Sequence, residues 1–174
     1  MHKSSPQKNK RTLVIIILIL LILQPLAAES FTAEVLKVVD GDTIYVRGEE
    51  SVLKLRLWGI DTPERNQPWG AEAADYVRSL AGRQFIKAEV LGIDRYERFV
   101  VIVTLPDGNI LNEELISAGL AWWYRRYAPD AAHLKALEED ARADGRGLWS
   151  RPGPVAPWDW RRGVRTPEKE ASGM

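Results

Sequence analysis

The chain has 174 residues, 45% of them hydrophobic, and balances 24 basic against 24 acidic side chains. That is one domain of ordinary size with material for a core, which excludes global disorder. The absence of cysteine excludes disulfides and thiolate chemistry, and two histidines, His2 and His133, leave no two-histidine metal site beside a leader.

Residues 1–28 read as an export signal. Lys3, Lys8, Lys10 and Arg11 make a basic start without an acid, Leu13 to Leu23 is unbroken apolar sequence, and Gln24-Pro25-Leu26-Ala27-Ala28 follows. The apolar run falls short of the roughly 20 residues that span a bilayer. An uncleaved anchor is the alternative, because Leu26 suits a cut at Ala28 poorly. Either way the domain is expected outside the cytoplasm: periplasmic or secreted, or tethered to the membrane. Cleavage removes four bases and no acid, leaving 20 bases against 24 acids, a net charge of −4. A polyanionic ligand must then be attracted locally, by a bound cation and a few arginines, rather than by a basic surface.

Phe31 to Arg47 is rich in Val, Ile, Thr and Tyr and alternates, which predicts strand split into a hairpin at Asp40-Gly41-Asp42. Val52 to Ile60 is the third strand, with Leu53, Leu55 and Leu57 on one face and Lys54, Arg56 and Trp58 on the other. A loop at Pro63 to Pro68 precedes a helix over Trp69 to Leu80, whose stripe is Trp69, Ala73, Tyr76, Val77 and Leu80. Phe85 to Ile93 and Phe99 to Leu105 are strands four and five. Short and longer helices follow over Asn112 to Ala118 and Ala131 to Ala143, the latter with Asp130 as candidate N-cap. Five strands with interspersed helices suit a mainly β, α+β fold: a Greek-key barrel of the OB type. The domain is placed at 31–150. In the 151–174 tail, Trp158 and Trp160 are expected to pack back on it, with disorder beyond Gly163.

Two carboxylate clusters flank an arginine: Asp40-Gly41-Asp42-Thr43, Arg56, and Asp61-Thr62-Pro63-Glu64. Such a set can hold a hard cation against a phosphate, the requirement for splitting a phosphodiester. Asp42 and Asp61 are the candidate ligands, the Thr62 carbonyl can add a third, and Asp40 is near enough to steady them. Glu64, behind the stiff Pro63, can reach a bound water as a base or orienting group. Arg56 and Arg98 can each grip two phosphate oxygens with a planar guanidinium. Tyr96, Trp122 and Tyr124 are candidate stacking surfaces for bases. Each feature alone has an ordinary structural explanation: a hairpin turn, a solvated glutamate, exposed arginines, a half-buried aromatic strand.

The run Val39-Asp40-Gly41-Asp42-Thr43, the block Leu55 to Glu64, Gln67-Pro68-Trp69-Gly70, Asp94-Arg95-Tyr96 with Arg98, and Gly147-Leu148-Trp149 occur in that order. Together they resemble the staphylococcal nuclease (thermonuclease) family across Phe31 to Ser150. The resemblance implies a five-stranded OB barrel with three α-helices and Ca²⁺-dependent hydrolysis of DNA and RNA leaving 3′-phosphate ends. It also implies Asp42, Asp61 and the Thr62 carbonyl as calcium ligands, Glu64 on the water, and Arg56 and Arg98 on the phosphate. Arg95 and Tyr96 fall where the family contacts a terminal phosphate, and Trp122 and Tyr124 where it has a tyrosine pair. Glu97 stands in place of a glycine, Trp122 in place of a tyrosine, and the Pro157-Trp158-Asp159-Trp160-Arg161-Arg162 tail has no assigned role. The expectation is an exported nuclease, a monomer. The alternative is a non-catalytic OB-type module that binds nucleic acid or protein, which has no need of all five of Asp42, Asp61, Glu64, Arg56 and Arg98.

Overall fold

A computed structural model describes residues 29–165; the leader and the end of the tail, and the expectations made for them, lie outside the described residues. Strands β1 (Ser30–Val38), β2 (Thr43–Arg47), β3 (Val52–Leu57), β5 (Phe85–Ile93) and β6 (Phe99–Thr104) close into a barrel in the order β1-β2-β3-β6-β5. All its ladders are antiparallel except β3 with β6. This is the OB arrangement that the strand pattern predicts.

Alternation fills the barrel. Ala33 and Val35 of β1, Ile44 and Val46 of β2, Leu55 and Leu57 of β3, Ile86 and Ala88 of β5, and Val101 and Val103 of β6 are all buried. A fully buried Val, Leu or Ile contributes about 1.5–3 kcal/mol each. Helix α1 (Gly70–Ala81) adds Ala73, Ala74, Val77 and Ala81 to that core, and α2 (Leu111–Ser117) adds Leu111, Leu115 and Ile116. Buried Asn112 ties α2 to the barrel: its Oδ1 accepts from Val103 N at 3.1 Å and its Nδ2 donates to Trp58 O at 2.9 Å.

Three expectations need correction. The third strand stops at Leu57, and after a turn at Trp58-Gly59 the chain resumes as β4 (Ile60–Asp61), paired with β7 (Trp122–Trp123) outside the barrel. Trp58 lies in that turn, beyond the strand that carries Lys54 and Arg56; it packs partly buried against the core and lines a cleft beside Arg56. Helix α3 (Ala132–Ala143) begins after Ala131 and has no side-chain cap, so Asp130 does not cap it. Besides the three expected helices there is a 3₁₀ turn at Gly147–Ser150 and a short helix α4 (Pro157–Trp160) in the tail.

Candidate active site

An open cleft of about 720 Å³ lies where the β1–β2 turn, the end of β3, β4 and the β5–β6 turn meet. Asp42 enters it from the turn before β2. Its Oδ2 accepts from Thr62 N at 2.9 Å and Thr62 Oγ1 at 3.0 Å, and its Oδ1 from Thr43 Oγ1 at 3.1 Å. Asp40 supports the turn by accepting the Asp42 backbone N–H at 3.1 Å. Arg56 then bridges the acids, with Nη1 3.0 Å from Asp42 Oδ2 and Nη2 3.0 Å from Asp61 Oδ1. The period of two along β3 sends Leu55 and Leu57 into the core and Arg56 towards this cluster.

Both aspartates are buried, Asp61 to 2% exposure. Burial pushes the Asp40 carboxyl up to about 6, helped by the charge of Asp42 and opposed by hydrogen bonds from Asp42 and Thr43 and by the Arg56 charge. Burial also raises Asp61, against the hydrogen bond it receives from Arg161. Carboxylates in this condition favour a positive charge beside them.

Glu64 sits at the lip of the cleft on a braced loop. Its N–H donates to Gln67 Oε1 at 3.0 Å, and its carbonyl accepts from Gln67 N at 2.9 Å. Gly70 lies so close that a Cβ there would stand 2.0 Å from the Glu64 carbonyl oxygen, so only glycine fits. On the opposite side Arg98, Arg95 and Tyr96 come from the β5–β6 turn. Asp94 anchors that turn, accepting from Tyr96 N at 2.8 Å, Arg98 N at 3.1 Å and Arg98 Nε at 2.7 Å. Burial alone would raise the Asp94 carboxyl, but these bonds and the Arg98 charge bring it below the usual carboxylate value. Glu97 adopts a left-handed φ of 59°, the region open to glycine. The turn expected of a glycine is therefore kept, and the Glu97 substitution leaves Arg98 presented to the cleft.

The structure brings together Asp40, Asp42, Arg56, Asp61, Thr62, Glu64, Arg95, Tyr96, Arg98 and Tyr124 around the cleft. It does not bring Trp122, which corrects its placement as a stacking surface: the ring is 4% exposed and packs edge-on against Trp149 at 5.2 Å. Ladder β7 ends at Trp123, and Tyr124 N donates to Gly59 O at 2.8 Å, so alternation does not carry from Trp122 to Tyr124.

Sequence reasoning missed three residues. Asp94 was visible in the motif Asp94-Arg95-Tyr96, but nothing in its spacing reveals that it holds Arg98. Exposed Tyr127 lines the cleft, its ring 4.8 Å from Tyr124. Arg161, just after α4, reaches Asp61 Oδ2 at 2.7 Å and Glu64 Oε1 at 2.6 Å. Burial works against its charge, but the bonds to Asp61 and Glu64 outweigh this and hold it above the ordinary arginine value.

Among the described residues, no three His, Cys, Asp or Glu side chains gather as a ready-made metal site. The donors at the cleft are oxygens, those of Asp40, Asp42, Asp61 and Glu64 among them, which fits a hard cation better than any soft metal.

A small barrel with an acid–arginine cleft at the margin of β3 defines the class of protein. The staphylococcal nuclease homologue family model matches residues 54–151. Relatives include an "Uncharacterized endonuclease" of Escherichia coli O157:H7, 37% identical over 137 residues, covering 79% of this chain and 89% of that protein. Another "Uncharacterized endonuclease", from Haemophilus influenzae, is 36% identical over 156 residues, covering 88% and 86%. A "Micrococcal nuclease" of Shigella flexneri is 35% identical over 153 residues, covering 83% and 88%. The chain belongs to the staphylococcal nuclease family.

Proposed function

We propose that this protein is a calcium-dependent nuclease that hydrolyses phosphodiester bonds of DNA and RNA with little sequence specificity and leaves 3′-phosphate ends. The observation that carries the reading is the Arg56 guanidinium held 3.0 Å from both Asp42 and Asp61, with Glu64 at the same cleft. The names of the relatives, endonuclease and micrococcal nuclease, support it.

Asp42, Asp61 and the Thr62 carbonyl would hold Ca²⁺, which when bound supplies positive charge against the phosphate under attack. Glu64 orients the attacking water or takes its proton. Arg56 and Arg98 grip the non-bridging oxygens as charge builds on them. Water oxygen bonds to phosphorus, the bond to the 5′-oxygen breaks, and the leaving oxygen takes up a proton. Arg95 and Tyr96 receive a terminal phosphate, and Tyr124 offers a face to a base. The protein works as a monomer outside the cytoplasm, exported by its leader.

The test is incubation of purified protein with single-stranded DNA, duplex DNA and RNA in Ca²⁺, Mg²⁺ and chelator, followed by identification of the product ends. Calcium-dependent cleavage leaving 3′-phosphates is the expected result. The rival reading, a non-catalytic OB-type module, draws support from Arg161, which already engages Glu64 and Asp61. Folded protein that binds nucleic acid and cleaves none in any metal establishes that reading instead.

A further inference from the structure

The sequence gives the tail after Trp149 no function, yet its conformation is specific. Gln67 Nε2 donates to Val155 O at 2.6 Å, and Ala156 is buried in a cluster with Trp122 and Leu148. Trp160 Nε1 donates to Asn66 Oδ1 at 3.1 Å. From these anchors Arg161 enters the cleft and Trp158 covers Tyr124 at its margin. Trp158 lies parallel on Tyr124, with ring centroids 5.4 Å apart and planes 5° apart. The Arg161 guanidinium spans Asp61 and Glu64 with contacts of 2.7 and 2.6 Å.

We infer that the Trp158–Arg161 segment is an internal plug, Arg161 standing in for the cation and Trp158 for a base, and that a divalent cation displaces it. The inference rests on the calcium reading above and adds a regulation of that same site. The geometry of competition is direct. Asp61 Oδ1 is taken by Arg56 and Oδ2 by Arg161, so both oxygens already carry a guanidinium partner. A cation on Asp61 therefore competes with one of them for the carboxylate. Arg56 is the poor candidate, because its side chain is only 13% exposed and it also satisfies Asp42. Arg161 is 43% exposed, and among the described residues its guanidinium hydrogen-bonds only to carboxylates. A divalent ion also brings twice the charge of the guanidinium it replaces.

Trp158 acts at the other end of the same segment. A flat ring stacked on Tyr124 occupies the face on which a base would lie. Withdrawal of Arg161 removes one of the attachments that keep Trp158 in place, so cation binding and opening of the base surface are coupled.

Calcium titration by calorimetry without nucleic acid tests this on the full-length protein, Arg161→Gln and Arg161→Lys, with circular dichroism as the check on folding. Removing the competitor is expected to tighten Ca²⁺ binding roughly three- to tenfold in Arg161→Gln, the scale of partly exposed ion pairs. Arg161→Lys, which keeps the charge and loses the fork, should fall between. Calcium should also change the tryptophan emission of the wild-type protein, and that change should shrink in Trp158→Phe. Equal or weaker Ca²⁺ affinity in Arg161→Gln overturns the plug and leaves the calcium reading standing. If neither wild type nor Arg161→Gln binds Ca²⁺, the calcium reading fails and the plug falls with it.

Discussion

The Asp94 carboxylate accepts both the side-chain Nε of Arg98, at 2.7 Å, and its backbone N–H, at 3.1 Å. One acid thus sets the turn and the guanidinium that the turn presents. Asp94→Asn keeps the shape but weakens two charge-assisted contacts. Turnover is expected to fall about 10- to 100-fold through misplacement of Arg98. The stability effect has a defined sign. The folded state lowers the Asp94 carboxyl below its ordinary 3.8, so its contribution is present above that value and is lost as pH falls below it. Denaturation of wild type and Asp94→Asn should differ at neutral pH and converge in strong acid.

Glu97 stands where the resemblance implies a glycine, and its φ of 59° says what it costs. A non-glycine residue there carries about 1–2 kcal/mol of strain, offset in part by the entropy a glycine would lose on folding. Glu97→Gly should therefore leave stability within about 1 kcal/mol of wild type or raise it. Cleavage should stay near the wild-type rate, since the turn around Arg98 is already the one glycine allows. A large gain in turnover would mean that the Glu97 charge, rather than the backbone, restrains the enzyme.

Glu64, Arg98 and Arg56 share the proposed chemistry but differ in their surroundings. Glu64 is 37% exposed, and the Arg98 guanidinium pairs with Asp94 and lies 5.4 Å from the Tyr96 ring centroid. Glu64→Ala and Arg98→Ala should each cut turnover by about a thousandfold or more, Glu64→Ala melting close to wild type and Arg98→Ala somewhat lower through loss of the Asp94 contact. Arg56→Met leaves buried Asp42 without a guanidinium and Asp61 with Arg161 alone, and should cost about 3 kcal/mol of stability as well. Thermal melts beside steady-state rates separate the two behaviours; near-normal turnover in Glu64→Ala would defeat the mechanism.

Asp42→Ala addresses the cation. It removes one proposed ligand, leaves Thr62 N–H without its acceptor and leaves Arg56 Nη1 with Leu57 O alone. Calcium affinity and cleavage should fall together, by at least about tenfold each. A calcium titration unchanged by this substitution removes Asp42 from the ligand set.

The sequence displayed the barrel because its strands are buried on one side, and alternation is what one-sided burial writes into a chain. It displayed Asp42, Asp61 and Glu64 because they lie in two short motifs whose spacing survives folding. Trp122 was misplaced because the β7 ladder is only two residues long, too short for alternation to fix a side chain's face. Asp94 was in view without its partner, since a hydrogen bond within a turn leaves no periodic trace. Arg161 meets Asp61 across 100 residues, and no local pattern encodes that encounter. The tail's tryptophans showed only that it packs, not where.

The last prediction concerns the loop that aims Glu64. A Cβ at Gly70 would stand 2.0 Å from the Glu64 carbonyl oxygen and 2.8 Å from its carbon, so backbone must move. Gly70 also opens α1 and donates its N–H to Gln67 O at 3.0 Å, which couples the helix start to the same loop. Gly70→Ala should cost about 1–3 kcal/mol through overpacking. It should also lower turnover about 10- to 100-fold by displacing Glu64. The control is Gly108, at φ 92° in the turn after β6, with open space where a Cβ would go. Gly108→Ala should cost stability through backbone strain alone, about 1 kcal/mol, and leave turnover intact. Melts and rates for the two variants distinguish a loop that merely supports the fold from one that aims a catalytic carboxylate. Equal turnover in both would mean that Glu64 tolerates movement of its loop.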